Sequence, residues 1–394
     1  MLNNQKSIHF WNPSLFSLKG GIQVYLKSVL KVLASGKKGI NYEVFLKGEL
    51  GSSSDCNDFP NMRFHFSSKF SSKLPTSLTT LAFAAKILVH GIWHRPNLII
   101  AGHINFTPVA YWLKRLTGIP YWTMAYGIEA WEINRPSLQK ALHYADRILA
   151  ISTYTRDRLL KEQNLNPAKI SLLPCTFEPN HFKIAPKPDY LLQRYHLKPQ
   201  QPIILTVARL DSLERYKGYD QILNALPQIR QAIPNVHYII IGKGNDRHRI
   251  EQLITELNLQ DCVTLAGFIP DEQLNDYYNL CDVFAMPSKK EGFGIVYLEA
   301  LACGKPTLGG NQDGAIDALC HGELGALVNP DDVNEIAQNL IQILQGTYPH
   351  PIIYRPENLR QKVIEIYGFH RFQQTLTEYL YQFFAAETLP LDKL

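Results

Sequence analysis

The chain has 394 residues, of which 45% are hydrophobic, and a net charge of +5. Its length and hydrophobic content exclude a small domain held together by disulfides and predict two ordinary domains. Its six cysteines form no close pair and no Cys-x-x-Cys motif, which argues against a disulfide framework or a zinc site. Because the N-terminus resembles no signal peptide and no stretch of about 18 apolar residues occurs, we expect a cytoplasmic protein.

Short apolar strands alternate with longer helical patterns along the chain, which is typical of parallel sheets joined by crossover helices. The predicted strands of the first half are residues 42–46, 97–101, 120–125, 147–151 and 170–173. Those of the second half are residues 202–208, 237–241, 262–266, 283–286 and 306–308. The proline-rich segment 174–199 separates the two halves, so we predict an α/β protein with two doubly wound sheets and a domain boundary in that segment.

The two halves differ in charge. Residues 1–185 carry 22 Lys and Arg against 10 Asp and Glu, whereas the remaining residues carry 18 against 25. A net charge of +12 in the first half suits anionic lipid, carrier phosphates or nucleic acid, but we find no nucleic-acid-binding motif and predict no nucleic-acid partner. A solvated basic surface without a partner is the alternative.

One segment of the basic half is apolar nearly all round. Residues 77–93 read SLTTLAFAAKILVHGIW and follow Lys69 and Lys73, a pattern that suits a helix resting on a membrane surface. A buried crossover helix is an equally good interpretation, and the sequence leaves both open.

Three glycine-rich turns lead into predicted helices, where backbone N–H groups and the helix dipole bind phosphates. They contain Gly20-Gly21, Gly242-Lys243-Gly244 and Gly292-Phe293-Gly294. None matches the dinucleotide fingerprint or the P-loop, so a nucleotide-dependent dehydrogenase is disfavoured.

Two cations and two carboxylates stand near these turns. Arg209 directly follows a predicted buried strand, so we expect its side chain at the buried edge of the sheet. Lys217 comes eight residues later, and the two cations together predict a clamp for an anion. Glu291 precedes one turn, and Glu299 would lie about 7.5 Å along the following helix. Carboxylates at that separation suit two different hydroxyl clusters of one ligand, with a diphosphate over the helix N-terminus between them.

These residues, with the frame Gly267, Tyr277, Asp282, Pro287-Ser288, Gly304-x-Pro306 and Gly325, resemble the family 4 retaining glycosyltransferases of GT-B fold. The resemblance is specific over residues 200–330 and looser over the first half. It implies two Rossmann-like domains facing across a cleft. Residues 1–185, with 370–394 returning, would bind the acceptor, and residues 186–369 the nucleotide sugar.

The resemblance also implies roles for single residues. Glu291 would bind the donor sugar, Glu299 the ribose, and Arg209 and Lys217 the leaving diphosphate, with the backbone of Gly20 and Gly21 close to the same phosphates. The donor would be lined by Gly242, Gly267, Phe268, Ile269, Phe293, Gly294, Ile295 and Val296. His103 lies where family members often carry a catalytic histidine near the acceptor, although a structural histidine is an equal alternative.

The sequence departs from the family at Tyr126-Gly127, where a His-Gly is frequent, and Tyr126 and Glu129 are therefore assigned only to the acceptor side. Pro174-Cys175-Thr176 likewise replaces the usual Pro-Asn-Gly. We find no Asp-x-Asp to hold Mg²⁺ and no other metal ligands, so we predict a reaction without metal or cofactor.

The expected substrates are UDP-glucose, with another UDP-hexose or GDP-mannose as alternatives, and a polysaccharide or lipid-linked glycan of cell-envelope or exopolysaccharide synthesis. The basic first half favours an acceptor presented at the inner face of the plasma membrane. A UDP-sugar epimerase of the same fold and a non-catalytic sugar-nucleotide binder are the other classes considered.

Overall fold

The computed structural model describes residues 6–17, 20–36, 39–50, 54–67 and 75–386, and it divides into two compact units. The first unit comprises Met1–Pro174 with Phe372–Leu394, and the second comprises Cys175–Arg371. Residues 175–185, which the sequence assigned to the first domain, group with the second unit. Lys69 and Lys73 lie outside the described residues.

The first unit contains a parallel sheet of seven described strands. In chain order they are β1 (Lys6–Asn12), β2 (Ile40–Leu50), β3 (Met62–Ser67), β4 (Leu98–Ala101), β5 (Tyr121–Ala125), β6 (Arg147–Ala150) and β7 (Ile170–Leu172). Their order in the sheet is β3-β2-β1-β4-β5-β6-β7, so the chain reverses its direction of travel between β1 and β4.

The second unit contains a parallel sheet of six strands with the same winding. They are β8 (Ile203–Val207), β9 (His237–Ile241), β10 (Val263–Gly267), β11 (Val283–Met286), β12 (Thr307–Gly310) and β13 (Ala326–Val328). The order β10-β9-β8-β11-β12-β13 reverses between β8 and β11. The predicted fold class, two doubly wound Rossmann-like sheets, is confirmed.

Helices connect these strands. The first unit has α1 (Gly21–Ala34), α2 (Thr76–His94), α3 (Thr107–Thr117), α4 (Pro136–Tyr144) and α5 (Thr153–Gln163). The second has α6 (Asp189–Arg194), α7 (Tyr219–Ala232), α8 (Arg247–Glu256), α9 (Asp271–Leu280), α10 (Ile295–Ala302), α11 (Ala315–Ala318), α12 (Val333–Leu344) and α13 (Pro356–Tyr367).

The last helix, α14 (Phe369–Ala386), begins in the second unit and continues in the first. The ring of Phe383 packs edge-on against Trp122 of β5, and the Tyr379 hydroxyl donates a 2.8 Å hydrogen bond to the Leu172 carbonyl of β7. These contacts attach the end of the chain to the first sheet.

Three strands were not predicted, each for a visible reason. In β1, the buried polar side chains of His9 and Asn12 interrupt the apolar run. In β3, at the sheet edge, polar and aromatic residues alternate and most are only half-buried. Strand β13 has only three residues and gives almost no periodic signal.

Candidate functional site

The candidate site in the second unit lies at the reversal of strand order. Ligands of doubly wound sheets bind beyond the carboxyl ends of the strands at such a point. The loop after β8 carries Arg209 and Lys217, and the loop after β11 carries Ser288 and Glu291. The topology therefore brings the two predicted cation positions and the first predicted carboxylate to the same edge of the sheet.

Lys217 and Glu291 contact each other directly. The Lys217 ammonium donates a hydrogen bond to Glu291 Oε2, and both side chains are mostly buried. Burial by itself lowers the pKa of Lys217, but the acidic groups around it, with Glu291 first, outweigh this effect and the net pKa is raised. The lysine is therefore a permanent cation at neutral pH, and its charge lies beside the carboxylate that the sequence assigned to the sugar.

The two loops are fixed by close backbone packing. Gly218 ends the turn that carries Lys217 with φ of +86°, and a Cβ there would lie 2.3 Å from the Pro287 carbonyl oxygen. The Lys289 N–H also donates a 3.0 Å hydrogen bond to the Tyr216 carbonyl. Because only glycine fits this approach, the ammonium of Lys217 is held at a defined place against the second loop.

Arg209 is placed differently from the prediction. Its side chain is 68% exposed rather than buried at the strand end, and its guanidinium lies 2.5 Å from Glu214 Oε1. Strand β8 already ends at Val207, and the chain has left the sheet by position 209. The prediction of a buried-edge arginine is wrong, while the location of Arg209 in the same loop as Lys217 is as expected.

Asp313 is a central residue that sequence analysis missed. Its Oδ2 accepts hydrogen bonds of 2.7 Å from both the Ser288 hydroxyl and the Glu291 N–H, and its Oδ1 accepts one of 2.9 Å from the Ala315 N–H. Burial raises the pKa of Asp313 to about 6, against the effect of these hydrogen bonds. The Asp313 carboxylate thus holds the Glu291 loop in place through the hydrogen bonds to Ser288 and Glu291.

Sequence offered one signal for this arrangement. A Cβ at Gly314 would lie 2.1 Å from the Gly292 carbonyl oxygen, and the Gly314 N–H donates a 2.8 Å hydrogen bond to the Glu291 carbonyl. The dipeptide Asp313-Gly314 is a typical turn signal, but nothing local indicates that its partner lies more than twenty residues upstream.

Helix α10 begins at Ile295, directly after the predicted glycine-rich turn, whose last residue Gly294 has φ of +89°. The first N–H groups of a helix have no partner within it, so those of Ile295 and Val296 are available to an anion. Phe293 differs from expectation, since its ring is buried and packs edge-on against Tyr367. Only the backbone of Phe293 can therefore face a ligand.

Glu299 lies inside α10 and is held by one hydrogen bond. The Tyr278 hydroxyl donates to Glu299 Oε2 at 2.6 Å. Burial raises the pKa of Glu299 to about 7, which this hydrogen bond partly opposes. A carboxyl group in this state accepts hydrogen bonds from a diol well only above neutral pH.

Four of the residues predicted to line the donor lie at the ends of β9 and β10: Gly242 follows β9, Gly267 ends β10, and Phe268 and Ile269 come after it. Gly242 has φ of +146°, and a Cβ there would lie 1.8 Å from the Ala208 carbonyl oxygen, so this glycine serves backbone packing. Gly267 has φ of +76° with open space around it. The ring of the next residue, Phe268, is half exposed with the Lys243 ammonium 5.0 Å from its centroid, whereas Ile269 is buried.

The first unit holds the remaining predicted residues. Gly20 is extended (φ −177°) and caps α1, and the space around a Cβ at Gly21 is open. These residues follow β1, one of the two strands at the reversal of the first sheet. A helix N-terminus at that place suits an anion.

His103 follows β4, the other strand at this reversal. Its Nδ1 accepts a 3.2 Å hydrogen bond from the Asn105 N–H, which leaves the proton of the neutral ring on Nε2. Burial, followed by the charges of Arg135 and Lys47, lowers the pKa of His103 to about 4. The ring is thus a neutral donor at physiological pH.

The two other acceptor-side residues are engaged by their own surroundings. The Tyr126 hydroxyl donates a 2.8 Å hydrogen bond to the Gly102 carbonyl. Glu129 Oε1 accepts a 2.6 Å hydrogen bond from the Tyr126 N–H, and burial raises the pKa of Glu129. Both side chains support the loops around His103, and their contact with an acceptor stays a prediction.

Two family models match the chain. The model described as glycosyl transferases group 1 covers residues 191–365, and that described as glycosyltransferase family 4 covers residues 19–181. A GDP-mannose-dependent phosphatidylinositol monomannoside mannosyltransferase of Mycolicibacterium smegmatis is 32% identical over 214 residues, 52% of this chain and 54% of that protein. The chain spans about half the length of the curated relatives it matches.

Solved structures resemble the whole chain at lower identity. Sucrose-phosphate synthase of Thermosynechococcus elongatus is 22% identical with a TM-score of 0.79, covering 97% of this chain and 100% of that one. HepE of Anabaena in complex with UDP-glucose is 20% identical with a TM-score of 0.76, covering 95% and 99%. These likenesses show the fold.

Proposed function

The chain belongs to the family 4 glycosyltransferases of group 1, with the GT-B fold, and we propose that it transfers a hexose from a nucleoside diphosphate sugar to a glycan or lipid-linked acceptor. The observation that carries this proposal is the arrangement of Lys217 and Glu291 beside the N-terminus of α10, with Glu299 farther along the same helix. It offers a cation, free N–H groups and two separate carboxylates to one elongated ligand.

The proposed chemistry follows from where charge develops. Breaking the anomeric C–O bond leaves an oxocarbenium-like sugar and adds negative charge to the nucleoside diphosphate. Lys217 and the N–H groups of Ile295 and Val296 would stabilise that charge, with Arg209 swinging from Glu214 as a second cation. Glu291 would exchange its contact with Lys217 for the sugar hydroxyls.

We further propose that the anomeric configuration is retained. A phosphate oxygen of the leaving group would accept the proton of the acceptor hydroxyl on the same face of the sugar. The cations and helix N-terminus would do the work that Mg²⁺ does in other transferases, so transfer would need no metal and no cofactor.

The donor that the sequence predicts is UDP-glucose. GDP-mannose is the second candidate, because the name of the relative that is 32% identical includes it. The half-exposed ring of Phe268 would stack on either base, so a donor panel decides between them.

The acceptor is proposed to lie at a membrane surface, since the first unit exposes an apolar face on α2 and α3. On α2, the side chains of Leu81 and Trp93 are 67% and 79% exposed, and on α3 Trp112 is 60% exposed. Gly91 of α2 packs directly on Leu113, which makes the two helices neighbours. Exposed tryptophans on a basic unit suit the interface of an anionic bilayer.

Of the two interpretations that the sequence leaves open for residues 77–93, a fully buried crossover helix does not fit, because Leu81 and Trp93 are exposed. Among the described residues, no helix is both long and apolar enough to cross a bilayer. We propose peripheral contact from the cytoplasmic side, at the inner face of the plasma membrane.

Product analysis tests the reaction class. With radiolabelled donor and membranes as the source of acceptor, the proposal predicts label in a lipid-extractable or polymeric product. Without acceptor, it predicts that the sugar of the remaining donor is not epimerised. Conversion of a UDP-sugar to its epimer without acceptor would establish the epimerase instead.

A further inference from the structure

A cluster of imidazole and carboxylate groups lies in the first unit, where the proposed transfer chemistry assigns no role. His9 is on β1, Glu43 on β2, His65 on β3 and His90 on α2. Three neighbouring strands and the helix that covers them thus each contribute one polar side chain. The residues are separated in sequence by 20 positions or more and meet only in the fold.

The ligand-type atoms are close together. One nitrogen or oxygen from each of His9, Glu43 and His90 lies within 4.8 Å of the others. His90 Nε2 lies 3.3 Å from Glu43 Oε2, and the rings of His9 and His90 have centroids 5.1 Å apart. Ligands of a tetrahedral zinc ion at about 2.0–2.1 Å from the metal are about 3.4 Å apart, so small side-chain shifts bring these atoms into place.

Two of the buried nitrogens have no hydrogen-bond partner. Nδ1 of His9 and Nδ1 of His90 are enclosed, yet neither pairs with any group among the described residues. His9 is only 1% exposed. A buried polar atom without a partner costs about 1–3 kcal/mol, so each of these two rings carries a nitrogen that the described residues leave unsatisfied.

The surroundings hold the carboxylate in position. His65 Nε2 lies 3.0 Å from Glu43 Oε2, and the ring of His65 stacks on the buried ring of Phe45 at 4.4 Å. A group that bonds to a ligating carboxylate from outside fixes its orientation. Two cations lie nearby: Arg63 Nη1 is 3.9 Å from Glu43 Oε1, and the Lys86 ammonium is close enough to act on the His65 ring.

We propose that His9, Glu43 and His90 bind a divalent transition-metal ion, Zn²⁺ by its preference for this ligand set, with His65 as the outer partner of Glu43. Two imidazoles and one carboxylate are a frequent three-residue zinc set, and a fourth position stays open to water. The ion would join β1, β2 and α2 and stabilise this edge of the first unit. No part in the transfer reaction is assigned to it.

Metal binding to the full-length protein tests the proposal. Protein stripped with a strong chelator is titrated with Zn²⁺ against a chromophoric competitor, and its thermal midpoint is measured with and without Zn²⁺. We expect one equivalent bound and a higher midpoint. His90→Ala and Glu43→Gln should abolish both effects, and His65→Gln should weaken binding about 10–100-fold.

His143→Ala is the matched control. This histidine is exposed on α4 of the same unit and should leave the stoichiometry and the midpoint shift unchanged. Unchanged Zn²⁺ binding in both His90→Ala and Glu43→Gln would overturn the proposal, and so would binding lost equally in the control.

Zinc-edge X-ray absorption on the native protein keeps the test independent of whether any variant folds. The proposal predicts only nitrogen and oxygen neighbours near 2.0–2.1 Å. Sulfur neighbours near 2.3 Å would place the ion on cysteines instead, and absence of any bound equivalent would show that the cluster is held by hydrogen bonds alone.

Discussion

Lys217 and Glu291 form an ion pair between the loops that follow β8 and β11, the two strands at which the second sheet reverses its order. Removing one member of such a mostly buried pair leaves the other charge uncompensated. The pair is therefore coupled, and the two side chains must be tested together as well as singly.

We predict that Lys217→Ala lowers kcat/KM for the donor about 10²–10³-fold, because it removes a cation from the developing charge of the leaving group. Glu291→Ala should cause a similar loss, and the double variant should lose much less than the product of the two. Arg230→Ala, which breaks an exposed pair with Asp261 in the same unit, serves as the control and should be neutral. Strictly multiplicative losses would contradict the coupling.

Glu299 gives a pH prediction. Its pKa of about 7 means that the carboxylate which accepts hydrogen bonds from the ribose is depleted below neutral pH. We expect kcat/KM for the donor to fall up to about tenfold per pH unit below pH 7 in the native protein. In Glu299→Gln, kcat/KM should be lower than native at pH 8 but nearly independent of pH. Parallel profiles for the two proteins would count against this role.

The same group affects stability with a definite sign. A carboxyl whose pKa is raised by folding contributes stability that is fully present below the unfolded value, about 4.3, and lost as the pH rises through 7. Between pH 5 and pH 8, the free energy of unfolding of the native protein, measured in urea, should therefore fall by about 1–3 kcal/mol more than that of Glu299→Gln. An unchanging difference across this range would refute the assignment.

Asp313 is predicted to support the site without contacting the ligand. Asp313→Asn replaces an acceptor with an N–H donor facing other donors, so we expect a loss of about 1–3 kcal/mol in the free energy of unfolding and a raised KM for the donor. Asp261→Asn, at an exposed position, is the comparison and should change neither quantity. Native stability in the Asp313 variant would show that the loop does not depend on this carboxylate.

The exposed face of α2 and α3 predicts membrane binding. Replacing both Trp93 and Trp112 by serine should weaken binding to vesicles containing anionic lipid, as measured by sedimentation, and leave activity on a water-soluble acceptor unchanged. Ile366→Ser on α13, exposed in the second unit, is the matched control. Neutralising Lys86 should act in the same direction as the tryptophan changes; equal vesicle binding by all variants would exclude this surface.

Residues 200–330 were the most predictable part of the chain, because the strands there are short apolar runs and the Glu291 turn precedes an apolar helix that begins at Ile295. The exposure of Arg209 follows from the early end of β8 at Val207. The role of Asp313 depends on contacts with a loop that is distant in sequence, and no local pattern reports them. Asp313 accepts hydrogen bonds from two positions of that loop, Ser288 and Glu291.

The first unit was harder to predict. Strand β1 carries His9, whose buried side chain interrupted the apolar pattern. No metal ligands were predicted, since His9, Glu43 and His90 have none of the short spacings by which zinc sites are found in a sequence. Sheet pairing is what brings them together.

The most direct test of the central claim is release of UDP or GDP from a panel of nucleotide sugars without acceptor, comparing the native protein with Lys217→Ala, Glu291→Ala and Arg230→Ala. We predict slow hydrolysis of one donor by the native protein and Arg230→Ala, its loss in the other two variants, and no stimulation by Mg²⁺ or Mn²⁺. Release that survives in Lys217→Ala and Glu291→Ala, or no binding and hydrolysis of any nucleotide sugar, would contradict the assignment of this site.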